Sequence, residues 1–160
     1  MLLAGMLLCG SLQAQNSKAQ KDSLKTAHIS HLIDTTYFRF KAEWVLPMGG
    51  RNRYLTPDYY DLTVSRDTIV AYLPYFGRAY VAPMDPSQNG IQFTSKNFTY
   101  TTAPRKKGGW DISIKFKDAG DVQQMQLTVT EDGSASLSVT SVNRQSISFT
   151  GHITGRTKRR

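Results

Sequence analysis

The chain of 160 residues has only one cysteine, Cys9, which excludes a framework of intramolecular disulfide bonds. It also has no apolar run of about 18 residues, the length that a membrane-spanning helix needs. Acidic residues are scarce, since 12 Asp and Glu stand against 20 Lys and Arg for a formal net charge of +8. The hydrophobic share of 39% argues against disorder and suffices for one domain with an apolar core.

Signatures of catalysis are missing as well. The sequence contains no Gly-x-Ser-x-Gly, no phosphate-binding glycine loop and no His-Glu-x-x-His. His28 and His31 have the spacing of a metal pair on a helix, but a metal site needs at least a third ligand. We therefore expect no metal, no cofactor and no enzymatic activity. The remaining catalytic alternative, a hydrolase acting on glycans, would need a carboxylate pair drawn from Asp61, Asp67 and Asp111.

The start of the chain is typical of an export signal. Residues 1–12 are apolar and uncharged, and Gln-Ala-Gln follows them. This pattern predicts a secretory signal peptide cleaved after Ala14, although the usual basic start is missing. Cleavage would remove Cys9, which follows Leu8 rather than the small residue of a lipoprotein signal, and would leave the charge at +8. We expect a periplasmic or secreted protein. The alternative, a buried core helix, conflicts with the polar segment 15–22.

Hydrophobic periodicity changes once along the rest of the chain. Apolar residues at spacings of three to five predict one amphipathic helix over residues 16–33. From Tyr37 onward the period is two, which predicts a strand with one buried face that ends at Pro47. The residues predicted to be buried on this strand are Phe38, Phe40, Ala42 and Trp44.

The remaining chain alternates in the same way, in short strands separated by turn residues. Apolar side chains of paired strands must share a face, and a slip of one residue reverses every side chain. This parity predicts five successive hairpins. The predicted pairs are Val64–Ile69, Leu62–Ala71 and Tyr60–Leu73; Phe93–Phe98 and Ile91–Tyr100; Ile114–Met125, Ile112–Leu127 and Trp110–Val129; Val129–Ala135, Leu127–Leu137 and Met125–Val139; and Val139–Ile147.

One of these turns is chosen by parity against the usual turn signal. A two-residue Asp132-Gly133 turn would place Val129 opposite Ser136 and mix the two faces of the sheet. A three-residue loop that also includes Glu131 keeps the faces apart and places Gly133 at the left-handed position that such loops require. We therefore predict a bulged hairpin here.

Five hairpins in series predict a mainly β fold. The expected architecture is an antiparallel meander of roughly eight to ten strands that closes into a barrel or a sandwich, because a long twisted sheet must protect its edges. The N-terminal helix is expected to cover one open end or edge. We assign a signal peptide to residues 1–14, a single β-rich domain to 15–156 and a frayed basic tail to 157–160.

Residues 71–83, AYLPYFGRAYVAP, combine four aromatic residues with two prolines, a glycine and an arginine. With this YLPYFGRAY-type motif the chain resembles a family of small secreted or periplasmic proteins from Bacteroidetes, classified only as a domain of unknown function. The other matching pieces, in chain order, are Phe38-Arg39-Phe40, Pro47–Arg51, Leu55–Tyr60, Lys106–Trp110, Gly133–Leu137 and Asn143–Ser148. The resemblance spans nearly all of the mature chain and implies an envelope or secreted location, but no activity and no functional residues.

The aromatic segment is also the candidate for a ligand-binding site. Tyrosine and arginine anchor many recognition surfaces, and an arginine can clamp a carboxylate or phosphate. We assign Tyr72, Tyr75, Arg78 and Tyr80 to the rim of an apolar β interior. A second aromatic and basic patch beside it, which would suit a sugar or an anionic polymer, consists of Tyr54, Tyr59, Tyr60, Arg51 and Arg53, of which Tyr60 and Arg51 are taken as site candidates. The competing interpretation is structural: Pro and Gly break the ladder at a corner, while the tyrosines fill the core and cap backbone groups.

The basic excess forms two clusters, Arg105–Lys107 and Lys158–Arg160. An exported protein with no RNA- or DNA-binding motif is not expected to bind nucleic acid, whereas peripheral contact with anionic surfaces or simple solvation suits the charge. The sequence thus predicts a non-catalytic module that binds an envelope ligand: a lipid, a glycan or a protein. The alternative is a structural or protein-interaction module that uses an exposed strand edge. The pattern leaves the oligomeric state open.

Overall fold

The computed structural model describes residues 11–56, 58–80 and 90–155, with side chains from residue 19 onward. Residues 1–10 of the predicted signal peptide, residues 81–83 of the aromatic motif and the predicted tail lie outside the described residues. The elements are α1 (Ser11–Asp34), β1 (Phe38–Pro47), β2 (Arg53–Tyr54), β3 (Asp61–Val64), β4 (Ile69–Leu73), β5 (Ile91–Ser95), β6 (Phe98–Pro104), β7 (Trp110–Phe116), β8 (Val122–Val129), β9 (Ser134–Ser141) and β10 (Ile147–Gly155).

The strands form one antiparallel sheet that curls into a nearly closed barrel. Their order is β5-β4-β3-β1-β10-β9-β8-β7-β6, and β2 pairs with β1 beside β3. Each half of the chain is a local meander, and the β1–β10 ladder joins the two halves. The predicted mainly β fold, with eight to ten strands and one N-terminal helix, is confirmed, and the architecture is the barrel rather than the sandwich.

The inward face of the barrel is filled by apolar side chains. Phe38, Phe40 and Phe149 are fully buried and lie in one core cluster with the inward residues of the other strands. Burying one such side chain contributes roughly 1.5–3 kcal/mol relative to leaving it in water. This core fixes which residues point outward, and those outward residues provide the candidate functional surface.

The helix begins earlier than predicted, and its last turns pack on the barrel. Ile29, Leu32 and Ile33 are buried in the core cluster, whereas Leu24 remains exposed. The ring of contacts includes the β8–β9 turn, where a Cβ on Gly133 would lie 2.8 Å from the Cδ1 of Ile29. Helix α1 therefore covers the end of the barrel at which this turn lies.

Turn parity gives the observed register in four of the five predicted hairpins. The β8–β9 connection is the predicted three-residue loop, with Val129 opposite Ala135 and with Gly133 at a φ of 81°. The one pair of these hairpins outside the observed ladders is Tyr60–Leu73, which falls just beyond the end of β3.

The predicted hairpin between β5 and β6 is wrong. Instead of the Phe93–Phe98 and Ile91–Tyr100 pairs, β5 pairs with β4 and β6 pairs with β7. No ladder joins β5 to β6 in the described residues, and the chain passes from one sheet edge to the other between Ser95 and Phe98. Parity fails here because each strand keeps the same alternation whichever neighbour it has.

The seam between β5 and β6 is fastened by one carboxylate. Asp118, in the β7–β8 turn, accepts hydrogen bonds from the Ser95 hydroxyl and from the amides of Lys96 and Asn97, the latter two at 2.9 and 3.0 Å. The Ser95 bond, followed by the Lys96 bond, holds the pKa of Asp118 below its ordinary value. These partners lie at the end of β5 and in the connection to β6, so a turn residue of β7–β8 holds the corner between the two sheet edges.

The predicted burial of Trp44 is also wrong. The register of β1 against β10 shifts between Ala42 and Trp44, so Glu43 is an extra residue in a β-bulge. The alternation resumes one position later, and Val45 is fully buried while Trp44 is 44% exposed. Bulges re-aim the side chains that follow them, and this one turns an indole to the outer face.

Candidate binding surfaces

Residues 74–80, called the rim segment below, follow β4 at the end of the barrel away from α1. The segment is held by the β9–β10 loop: the Tyr80 amide donates to the Asn143 carbonyl at 2.8 Å, and the Gln145 amide donates to the Arg78 carbonyl at 3.0 Å. The motifs YFGRAY and NRQSIS, far apart in sequence, therefore form the two sides of one hydrogen-bonded junction.

The hydroxyl of Tyr75 caps backbone groups inside this junction. Its oxygen lies 2.8 Å from the Arg78 carbonyl oxygen and 3.0 Å from the Gln145 carbonyl oxygen. A Cβ on Gly77 would lie only 2.5 Å from the same hydroxyl, so glycine is needed at this position. Burial raises the pKa of Tyr75, which keeps the hydroxyl available as a donor. Tyr75 is placed as the structural interpretation expects.

Arg144 ties the junction to the body of the barrel. Its Nε and Nη2 bind the two carboxylate oxygens of Asp121 at 2.6 and 2.9 Å, and its Nη1 donates to the Gly90 carbonyl at 2.9 Å. Its guanidinium carbon also lies 5.1 Å from the centre of the Tyr75 ring. The hydrogen bonds to Asp121 raise the pKa of Arg144. Four separate chain segments meet at this one guanidinium group.

The outward side of the rim segment is aromatic and basic. Tyr80 is 68% exposed and Phe76 is exposed beside it. The guanidinium carbon of Arg53, on β2, lies 4.9 Å from the centre of the Phe76 ring. Arg78 and Arg51 are exposed, and neither guanidinium has a hydrogen-bond or ion-pair partner in the described part of the chain. The rim thus presents cations and rings on a backbone that the junction holds in place.

A second group, the tyrosine cluster, lies beside the β3–β4 ladder. The Tyr72 hydroxyl donates to that of Tyr59 at 3.2 Å, and this bond raises the pKa of Tyr72. The Tyr60 and Tyr72 rings are nearly parallel, with centres 5.8 Å apart. The Tyr59 ring meets the rings of Tyr60 and Tyr72 edge to face. Tyr59 is the most exposed of the three side chains.

A third group, the outer platform, consists of Glu43, Trp44, Tyr54 and His152. The Trp44 and Tyr54 rings meet edge to face with centres 5.2 Å apart, and Tyr54 is 59% exposed. Beside them, His152 Nδ1 lies 2.7 Å from Glu43 Oε1, and both side chains are about half exposed. Neighbouring charges are also paired, with Lys41 bound to Asp58.

The structure divides the predicted site residues among these groups. Tyr75, Arg78 and Tyr80 belong to the rim segment. Tyr72, which was predicted at the rim, lies instead in the tyrosine cluster with Tyr60 of the predicted second patch. Arg51 lies apart, in the β1–β2 turn. Arg53 and Tyr54 of the predicted second patch lie on β2, where Arg53 contacts the Phe76 ring and Tyr54 meets Trp44. The sequence interpretation missed Arg144, the exposure of Trp44 and the Glu43–His152 contact. Neighbours on β2 point to opposite faces, and only a three-dimensional register reveals that Tyr54 meets Trp44.

The weak catalytic candidates have local partners. Asp61 forms an ion pair with Arg39 at 3.0 Å, Asp111 forms one with Arg105 at 3.5 Å, and Asp67 accepts a bond inside its own turn. No three His, Cys, Asp or Glu side chains converge on a metal site within the described ranges. Two surface grooves of about 390 and 520 Å³ lie on β6–β8 and beside the end of α1, and they are lined in part by Asp111 and Asp67 respectively. Neither groove contains a residue of the predicted ligand-binding site.

The fold defines a class of small antiparallel β-barrels with one helix over an end. The chain belongs to the DUF4251 family, a domain of unknown function whose model matches residues 20–153. It is similar in fold to a crystallised DUF4251 family protein from Bacteroides eggerthii, with a TM-score of 0.61 and 16% identity over 85% of this chain and 91% of that one. No curated protein matches the sequence significantly. Helix α1, where described, is not apolar enough to cross a membrane.

Proposed function

We propose that this protein is an exported, non-catalytic module that binds an anionic group of a cell-envelope ligand at the rim. The observation that carries the proposal is the contact of the Arg53 guanidinium group with the exposed Phe76 ring, in the same segment as the exposed Arg78 and Tyr80. Arginine and aromatic side chains supply much of the energy of recognition, and a guanidinium group binds phosphate or carboxylate through paired hydrogen bonds.

Rigidity supports the same proposal. A ligand-binding surface loses less free energy on binding when its groups are already ordered. The Arg144–Asp121 pair and the Tyr75 cap hold the rim backbone from behind while leaving its outer side open. The excess of positive charge adds a long-range attraction for an anionic envelope surface.

The test compares two double variants that remove equal charge. The Arg53→Ala, Arg78→Ala variant alters the rim. The Lys106→Ala, Lys107→Ala variant alters an exposed turn at the opposite end, because the neighbouring Gly108 lies against Glu131 of the β8–β9 turn, which α1 covers. Binding to phosphatidylglycerol vesicles and to polygalacturonate at about 0.15 M salt distinguishes a lipid phosphate from a glycan carboxylate.

We expect the rim variant to weaken binding to one probe by about tenfold or more, equivalent to about 1.4 kcal/mol. The control should change it less than about twofold. Equal losses in both variants would show that net charge alone governs the attraction and would overturn the rim proposal. Absence of binding by the unaltered protein to either probe would do the same.

A second candidate is a module that recruits a protein partner through a strand edge. It is favoured by β6, which has no charged residue from Phe98 to Pro104 and no ladder partner on its outer side within the described part of the chain. Exposed edges of this kind are templates for pairing with another strand. Sedimentation at increasing concentration, with Thr101→Pro as the blocking variant, tests this function, and a monomer at all concentrations with no cross-linked envelope partner excludes it.

Export itself is tested by the mass of the protein recovered from its host. Cleavage after Ala14 would give a chain that starts at Gln15. This would shorten α1 but keep Ile29, Leu32 and Ile33, which are the helix residues packed in the core. A recovered mass that includes residues 1–14 would contradict the predicted signal peptide.

A further inference from the structure

We propose that the outer platform is a carbohydrate-binding site for the pyranose rings of a neutral glycan. The site is separate from the rim, because successive residues of β2 point to opposite faces and only Tyr54 faces Trp44. The proposal therefore stands or falls independently of anion binding at the rim.

The first observation is that the fold departs from regular geometry to expose the indole. An unbroken β1 would point Trp44 into the barrel, where its neighbours Phe40 and Ala42 are buried. The bulge at Glu43 instead places Val45 in the core and Trp44 outside. Trp44 therefore contributes nothing to the buried core of the barrel.

The second observation is the ring that meets it. β2 has only two residues, Arg53 and Tyr54, and it pairs with Trp44 and Val45 alone. It thereby sets Tyr54 against Trp44 with an angle of 69° between the rings. Two exposed aromatic rings at an angle form a shallow apolar corner. The C–H face of a pyranose can pack into such a corner while its hydroxyl groups point outward.

The third observation is the polar border of this corner. Glu43 directly precedes Trp44 in the bulge, and His152 contacts Glu43, so both belong to the same part of the outer surface. Each has further acceptor or donor capacity beyond their mutual contact. A carboxylate and an imidazole can both bind sugar hydroxyls. Hydroxyl groups that replace water at these positions would fix the orientation of the sugar.

Charge decides in favour of a neutral sugar. Two cations of β1 are already paired: Lys41 with Asp58, and Arg39 with Asp61, while Arg53 contacts the Phe76 ring at the rim. The Glu43 carboxylate would repel a second carboxylate. A neutral hexose meets no unpaired opposing charge there, whereas an acidic sugar would find its cations only at the rim.

The experiment measures binding of cellotetraose and of the tetrasaccharide of N-acetylglucosamine by calorimetry. We expect saturable binding to at least one of these neutral probes, with a Kd of about 1 mM or lower. Tyr54→Ala should weaken binding about tenfold, and Glu43→Gln should weaken it by a smaller factor. Trp44→Phe should retain part of the affinity that Trp44→Ala loses.

The matched control is Tyr37→Ala. Tyr37 is 43% exposed, close to the 44% of Trp44, but it lies beside the end of α1. This variant should bind as the unaltered protein does. Thermal melting of every variant shows whether the barrel is intact before binding is compared.

A fluorescence measurement assigns the binding to the platform. The chain has two tryptophans, so Trp110→Phe leaves Trp44 as the reporter. Bound sugar should protect Trp44 from quenching by acrylamide. The Arg53→Ala, Arg78→Ala double variant should keep this protection, which separates failure at the rim from failure at the platform.

Three results would overturn the proposal: no saturable binding to either probe, equal losses in Tyr54→Ala and Tyr37→Ala, or protection of Trp44 that depends on protein concentration rather than on sugar. The last result would identify the platform as a contact between protein chains. Binding of polygalacturonate but of neither neutral probe would also contradict it.

Discussion

Replacement of Arg144 by alanine should destabilise the barrel far more than loss of an ordinary surface arginine. The substitution removes two charge-assisted hydrogen bonds to Asp121 and one to the Gly90 carbonyl, together with the contact to the Tyr75 ring. It also leaves the Asp121 carboxylate without its partner in a setting where 20% of its side-chain surface is exposed.

The magnitude lies between two known limits. Exposed ion pairs contribute about 0–1 kcal/mol, and breaking a fully buried pair costs about 3–5 kcal/mol. The Arg144 and Asp121 side chains are 18% and 20% exposed, nearer to the buried limit. We therefore expect a loss of about 2–4 kcal/mol in the free energy of unfolding. For a domain of this size a loss of about 3 kcal/mol lowers the melting temperature by about 6–12 °C.

Thermal and urea unfolding, followed by tryptophan fluorescence, measure this loss. Arg105→Ala is the matched control, because Arg105 and Asp111 form an exposed pair at 3.5 Å, with 38% and 58% of their side chains exposed. The control should lose less than about 1 kcal/mol. Arg144→Ala and Asp121→Ala combined should cost less than the sum of the single changes, by about 1 kcal/mol or more. If Arg144→Ala falls within about 0.5 kcal/mol of the control, the junction does not hold the barrel as argued.

Three further outcomes are expected. Gly133→Ala should destabilise the protein more than Gly120→Ala, because both glycines have positive φ but only a Cβ at position 133 meets Ile29; equal unfolding free energies would refute the packing argument. Gly77→Ala should displace the Tyr75 hydroxyl and change the near-ultraviolet circular dichroism, while Gly49→Ala, which meets no atom within 4 Å, should leave that signal unchanged. The pKa of Asp118 is lower in the folded protein than its ordinary value of 3.8, so its stabilisation is complete above that pH and is lost as the pH falls through the folded value. Unfolding midpoints measured over a series of pH values should fall less steeply at acid pH in Asp118→Asn than in the unaltered protein. The same acid dependence in both would show that the Asp118 charge does not stabilise the connection between β5 and β6.

The registers that could be predicted are those that depend on neighbouring residues. Parity and the left-handed requirement of Gly133 are local properties, and they specify the β8–β9 loop against the stronger Asp-Gly signal. The same logic gives a false hairpin at Ser95, because a corner between two edges and a hairpin have the same alternation. The partner of β5 is chosen by the whole sheet rather than by its own residues.

The surface groups were less predictable because each depends on contacts across long stretches of sequence. Asp118 and Asp121 both lie in the β7–β8 turn, and nothing in that turn's sequence indicates their distant partners. Asp121 binds Arg144, and Asp118 binds the connection between β5 and β6. The exposure of Trp44 follows from a bulge, and nothing in the alternation of β1 distinguishes an extra residue from a regular one. The sequence places aromatic and basic residues together at 72–80, but their division into a rim and a tyrosine cluster is a property of the folded backbone.

The β1–β10 ladder has a consequence for the order of folding. Two strips of sheet, residues 38–95 and 98–155, can form from contacts between successive strands, but their joining ladder brings together segments about a hundred residues apart. Contacts of such long separation are slow to form, because the entropy of closing the intervening chain must be lost first. The strip made first must therefore wait, with the free side of β1 unpaired, until the last strand is available.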